Sequence, residues 1–236
     1  MGEPYYRDDH ATLYLGDCRD VLPDLAPVDL VLTDPPYGVT YESNHAIGRT
    51  ANTNNRISND GTRLSLALYR SVLPLLRANH VLWATRWDAW PDVWALLGQY
   101  WPLRGLLVWD KGSPGMGDLN HWGPSYELYA SAGYGKTVGS RDQSVLRFPK
   151  VSSTRRHHPT EKPLPLLTYL IGKLDPSSLL DPFAGSGTAL VAAKNLKVPA
   201  IGVELDERYC EVAAKRLAGV DPRADESSPD LFEVIT

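Results

Sequence analysis

The residues able to do chemistry gather in two short stretches. The first is Asp34-Pro35-Pro36-Tyr37. It follows an apolar run, Val28 to Leu32 broken only by Asp29, that reads as a buried strand. Two consecutive prolines offer no N–H to a sheet and fix φ, so the strand must stop there. What remains is a stiff turn that presents a carboxylate, carbonyl groups freed from the ladder and an aromatic ring. In open α/β sheets, ligands bind beyond the carboxyl ends of the strands. A turn of this kind suits a planar group with N–H donors. A proline-rich loop that merely ends a strand would look the same locally, so the remainder of the chain must discriminate.

The second stretch is Asp181-Pro182-Phe183-Ala184-Gly185-Ser186-Gly187-Thr188. Gly185 and Gly187 permit tight turns and close approach to a ligand. Glu204 ends the next strand, 17 residues after Gly187, where an acid can bind both hydroxyls of a ribose. This is the pattern of a nucleoside-cofactor site. ATP in a Walker loop does not fit, because no Lys-Ser/Thr follows the glycines. NAD calls for a third spaced glycine, which is missing. S-adenosylmethionine remains: it has a ribose for the acid and no phosphate to cradle. A purely structural strand-to-helix turn is the competing reading.

Alternating strands and helices must position these stretches. Strands are expected at 11–15, 28–33, 81–84, 103–109, 126–130, 144–148, 178–180 and 198–203. Leu64, Leu68, Val72, Leu75 and Leu76 recur at helical spacing over 62–77. Further helices are expected at 87–99, 164–174, 189–196 and 207–217. The tryptophans Trp90 and Trp94 read as core. Strands at 103–148 without clear intervening helices predict an antiparallel edge on a mostly parallel α/β sheet. A long polar segment, 39–61, follows the proline turn and reads as a substrate-contacting lid or a disordered loop. The glycine-rich stretch 111–117 reads as a flexible connection.

The bulk numbers fit one domain over 1–220 with a small insertion at about 112–157, and an acidic tail at 221–236. No apolar run approaches the ~18 residues of a membrane span. The two cysteines, Cys18 and Cys210, have no metal-ligand spacing and read as free thiols of a reducing cytosol. Net charge is −4, yet 136–162 is basic. Lys136, Arg141, Arg147, Lys150, Arg155 and Arg156 are its candidate contacts to a polyanion. A solvated surface loop is the alternative.

With both stretches in place, the chain resembles the beta group of amino-methylating DNA methyltransferases, which act on N6 of adenine or N4 of cytosine. Asp34-Pro35-Pro36-Tyr37 matches that family's catalytic motif, and Asp181 to Thr188 its cofactor motif. His158-Pro159-Thr160-Glu161-Lys162-Pro163 is similar to the segment that precedes the cofactor motif in the beta group. Gly16-Asp17, Trp109-Asp110-Lys111 and Glu127 look like the same group, over about Leu13 to Leu217. The catalytic motif comes first and the cofactor motif last, the group's circular permutation. The resemblance implies a Rossmann-like methyltransferase fold and S-adenosylmethionine as cofactor. It places Phe183 beside the cofactor, Glu204 at its ribose, Asp17 at its adenine, and Thr160 and Lys162 near its methionine end. It also implies double-stranded DNA as partner, a cytoplasmic setting in a bacterium or phage, and a homodimer as an open question.

The resemblance implies that Asp34 and the Pro35 carbonyl accept the two N–H groups of the target amine, while Tyr37 stacks on an extruded base. Adenine is preferred over cytosine because a serine in the first motif position would point more to cytosine. A carbon-5 cytosine mechanism needs a thiol in a Pro-Cys setting, and neither cysteine has one. RNA or protein-amide methylation, and a silent DNA-binding module, are the remaining alternatives.

Overall fold

The computed structural model describes residues 2–37, 64–113, 122–152 and 161–220. The polar segment 39–61, read as a lid or a disordered loop, most of the 111–117 connection, Thr160, Arg155, Arg156 and the tail lie outside the described residues. Nine strands form one sheet: β1 (Tyr6–Arg7), β2 (Ala11–Leu15), β3 (Val28–Thr33), β4 (Ala78–Thr85), β5 (Leu103–Asp110), β6 (Tyr126–Gly133), β7 (Val145–Arg147), β8 (Leu179–Asp181) and β9 (Ala200–Glu204), in the order β1-β2-β9-β8-β3-β4-β6-β5-β7. Every expected strand is present; β1, two residues long, carries too little sequence pattern to be read in advance. The helices are α1 (Cys18–Val21), α2 (Leu64–Val72), α3 (Trp90–Leu97), α4 (Leu164–Leu174), α5 (Thr188–Asn195) and α6 (Glu207–Leu217). No described helix is long and apolar enough to cross a membrane.

Strands β2, β9, β8, β3 and β4 run parallel. β6 then runs antiparallel to both β4 and β5, as the lack of intervening helices predicted. Period-two alternation sorts the apolar residues to two faces. Leu30, Leu32, Leu82 and Leu179 meet α4, α5 and α6 on one face. Val31, Val81, Trp83 and Leu180 meet α2 and α3 on the other. Burying each of these side chains contributes about 1.5–3 kcal/mol.

Helix ends follow the sequence chemistry. Pro74 has no N–H to continue a helix, so α2 tightens into a 3-10 turn at Leu73–Leu75 instead of running to 77. Pro91 lies in the first turn of α3, where a missing N–H costs nothing. Val93, Leu96 and Leu97 of α3 are buried. Trp90 and Trp94 are only half-buried and pack edge-on against each other, centroids 5.4 Å apart, so they cap the core's margin rather than fill it.

From β8 the chain proceeds through α5 to β9 on one side. From β3 it proceeds through α2 to β4 on the other, over the opposite face. β3 and β8 therefore flank the point where the strand order reverses. A crevice must open there, at their carboxyl ends.

Candidate active site

That crevice is where the two chemical stretches meet. Leu30 and Val31 of β3 pair with Leu179 and Leu180 of β8. The Thr33 hydroxyl donates to Asp181 Oδ1 at 2.7 Å, joining the strand ends across 148 residues of chain. Asp34, Pro35, Pro36, Tyr37, Asp17, Lys162, Asp181, Phe183, Gly185 and Glu204 all line the cleft. Of the described cofactor candidates, Gly187 alone does not.

The cofactor half is built from backbone. Gly185 has φ +52 and open space where a Cβ would stand, a left-handed turn that glycine adopts freely. Its N–H donates to Glu204 Oε2 at 2.8 Å, and Asp206 N–H donates to Glu204 Oε1 at 2.8 Å. The carboxylate is thus fixed while keeping further lone pairs for hydroxyl donors. Burial pushes the Glu204 carboxyl up, and these two N–H groups pull it back. Gly187, φ +77, sits at the N-cap of α5, and a Cβ there would lie 2.8 Å from Ala213 Cβ of α6. Its role is therefore close helix packing under the loop. Asp17 caps α1, accepting from the Arg19 N–H and Nε–H at 2.9 Å each. Those bonds hold its carboxyl below the ordinary range.

The catalytic half is built from side chains. Tyr37 Oη donates to Asp34 Oδ1, and Lys162 Nζ pairs with Asp34 Oδ2. Tyr69 of α2 donates to the Pro36 carbonyl at 2.6 Å and meets Trp83 edge-on at 5.2 Å. Trp83 in turn meets Phe183 at 6.3 Å, so an aromatic row underlies both halves. Lys162 also pairs with Glu127 Oε2 at 2.9 Å, and Lys111 Nζ binds Glu127 Oε1 at 2.5 Å. Burial pushes the Asp34 carboxyl above the ordinary carboxylate range; Lys162 opposes that shift and Glu127 adds to it. Burial likewise raises Asp181, to about 7, against the bonds from Thr33 and the Phe183 N–H.

The donor set tests what the cleft can hold. Among the described residues, Asp17, Asp34, Glu161, Asp181, Glu204 and Asp206 line it against one cation, Lys162, which two carboxylates already engage. Such a lining repels a pyrophosphate and favours a cofactor bearing a ribose and positive charge. An open glycine cradle, a fixed acid at the end of β9 and the aromatic Phe183 complete that fit. Cys18 and Cys210 are buried, and burial pushes each thiol up to about 12. Neither supplies the thiolate of a carbon-5 mechanism.

Among the described residues, the basic stretch divides between two edges of the sheet. β6 descends antiparallel, so the loop after it, with Lys136 and Arg141, emerges at the amino edge of the sheet. There Val138 N–H bonds to the Lys173 carbonyl at 2.8 Å, at the far end of α4. Arg147 ends β7 at the carboxyl edge, beside Asp110 at 2.8 Å, and Lys150 is exposed just beyond. Charge counting along the sequence could not see this reversal. Lys162 is likewise placed on Asp34 and Glu127, a contact that the expected methionine-end role did not include. Of the span 112–157, Tyr126–Gly133 and Val145–Arg147 belong to the central sheet. Tyr69 and Tyr129 had no part in the sequence reading of the site, and Lys111 entered it only through the family resemblance. The available signal was a carboxylate, Glu127, in an otherwise apolar strand.

The fold is a Rossmann-like α/β sheet whose crevice brings the proline turn and the glycine turn together at the carboxyl ends of β3 and β8. A family model described as DNA methylase, of the N6/N4 type, matches residues 87–215. The putative methylase YubD of Escherichia coli (strain K12) is 32% identical over 215 residues, covering 87% of this chain and 89% of that protein. The type II methyltransferase M2.MboI of Moraxella bovis is 25% identical over 262 residues, 93% of each chain. Among solved structures, the M1.HpyAVI–SAM complex aligns with TM-score 0.67 at 22% identity, over 88% of this chain and 98% of that one. PvuII DNA methyltransferase (cytosine-N4-specific) aligns with TM-score 0.72 at 15% identity, over 91% and 88%. The chain belongs to the N6-adenine/N4-cytosine DNA methylase family, in its beta-group arrangement.

Proposed function

We propose that this DNA methylase modifies the N6 amine of adenine, at a specific site in double-stranded DNA, on a base turned out of the helix. The observation that carries the reading is the Asp34 carboxylate, aimed by Tyr37 and Lys162 and joined through Thr33 to the cofactor strand.

S-adenosylmethionine, when bound, supplies an electrophilic methyl group on a sulfonium. Glu204 and Asp17 hold its ribose and adenine, and Phe183 flanks it. The amine of an aromatic base is a poor nucleophile, because its lone pair is delocalised into the ring. Asp34 and the Pro35 carbonyl each accept one of its N–H groups. Two acceptors on one side favour a pyramidal nitrogen whose lone pair projects the other way. Each Asp34 oxygen already accepts one donor and has a second lone pair to offer. Positioning and electrostatics then supply most of the acceleration. A stacked duplex hides the amine, so the base must leave the stack at a cost of about a few kcal/mol, part of which stacking on Tyr37 returns. Arg147, at the carboxyl edge of the sheet that also bears the cleft, and Lys150 just after it are the better-placed phosphate contacts. Target recognition falls to the connections around β6 and β7 within 112–157, in one catalytic domain over 1–220.

Aspartate in the first motif position supports adenine. The test is expression in a methylation-free bacterial host, followed by nucleoside mass spectrometry of its DNA. N6-methyladenine is the expected product. N4-methylcytosine would move the reading to the other base of the family, and unmodified DNA would contradict it.

A further inference from the structure

Lys162 is 5% exposed and lies between two carboxylates from different parts of the chain. Asp34 takes one side of its ammonium, and Glu127 of β6 takes the other at 2.9 Å. Lys111, just past the end of β5, holds the far oxygen of Glu127 at 2.5 Å. Four alternating charges thus lead from the carboxyl end of β5 to the acceptor carboxylate. Trp109 floors the row, its ring 5.1 Å from Lys111 Nζ and 6.0 Å from Lys162 Nζ. Tyr37 lies 5.6 Å from Lys162 on the cleft side.

Stability alone does not call for this arrangement. Buried ion pairs are often no better than apolar packing of the same shape, since desolvation offsets their attraction. What the row does is set the potential at Asp34. An ammonium beside a carboxylate favours its ionised form, and a second carboxylate beside the same ammonium offsets part of that pull. The other groups facing Asp34 do not replace this control. Tyr37 donates a hydrogen bond from the same turn. Tyr129 of β6 has a buried hydroxyl with no hydrogen-bond partner among the described residues. Asp181 of β8 is a carboxylate and adds repulsion when ionised.

We propose that Glu127 and Lys111 are positioning residues that set how firmly Lys162 keeps Asp34 in its hydrogen-bond-accepting form, and so fix the pH at which methyl transfer switches on. This rests on Asp34 being the acceptor of the target amine. Removing Glu127's charge leaves Lys162 to Asp34 alone and favours the ionised form. Removing Lys162 leaves Asp34 facing Glu127 with no cation between them and favours the protonated form.

The test is the acid limb of the single-turnover rate of methyl transfer to duplex DNA, at saturating S-adenosylmethionine. Glu127→Gln is expected to move the limb to lower pH, and Lys162→Met to higher pH, each by about one unit. A role confined to holding the fold would slow both variants with the limb in place. If Lys162→Met does not fold, Lys111→Met replaces it, with the limb again moving up, because Glu127 then has Lys162 as its one cation in the row. Unshifted limbs, or an upward shift in Glu127→Gln, overturn the inference. No transfer by the unmodified protein at any pH instead overturns the function on which it rests.

Discussion

The two halves of the cleft are fixed by different means. The turn at Gly185 and Gly187 and the Glu204 carboxylate are held mainly by backbone, through two glycines with positive φ and the Gly185 and Asp206 N–H groups on Glu204, with side-chain bonds from Thr33 to Asp181 and from Arg216 to Ser186 and Thr188 beside them. Asp34 to Tyr37 is held by side chains that arrive from α2, from β6 and from the segment before α4. A cofactor that is the same in every turnover can be gripped by rigid local geometry. On the proposed function, the Asp34 turn takes and releases a base, which calls for tuned charge and angle, and long side chains can do that. The contrast predicts that damage to the first half shows in cofactor binding, and damage to the second in the chemical step.

The largest effect expected on the cofactor side is from Glu204→Ala. It removes the acid and leaves two buried N–H groups unpaired, so affinity for S-adenosylmethionine should fall about 100-fold by calorimetry. Next is Gly187→Ala, which places a Cβ 2.8 Å from Ala213 at positive φ. It should destabilise the fold by about 1–3 kcal/mol in denaturant titration. On either side of pH 7 the cleft should bind its cationic cofactor differently. Asp181 has its carboxyl raised to about 7 by burial, so it gains negative charge as pH rises through that value. Affinity should strengthen by up to about tenfold from pH 6 to pH 8, and equal affinities would detach Asp181 from the cofactor. The smallest effect is Tyr69→Phe. Losing one bond to the Pro36 carbonyl should slow the chemical step by about fivefold and leave cofactor affinity unchanged.

The same contrast explains what the sequence disclosed. Glycines at 185 and 187, an acid at 204 and prolines at 35 and 36 each impose local geometry, so type and spacing reveal them. Strands and their faces were legible for the same reason: Leu30, Val31 and Leu32 alternate between two cores. Lys162, Glu127 and Lys111 are far apart in sequence and meet only once β6 lies between β4 and β5. No local pattern announces that meeting. The division of the basic stretch was hidden for the related reason that one antiparallel strand carries Lys136 and Arg141 to the opposite edge from Arg147.

The most direct measurement takes Asp34→Ala, in which Lys162 retains Glu127 as partner and the cofactor half is untouched. Single-turnover methyl transfer to DNA should fall by at least about a thousandfold, while calorimetric affinity for S-adenosylmethionine stays within about twofold of the unmodified protein. Transfer at near-normal rates would contradict the account, and so would a loss of transfer that follows a loss of cofactor binding.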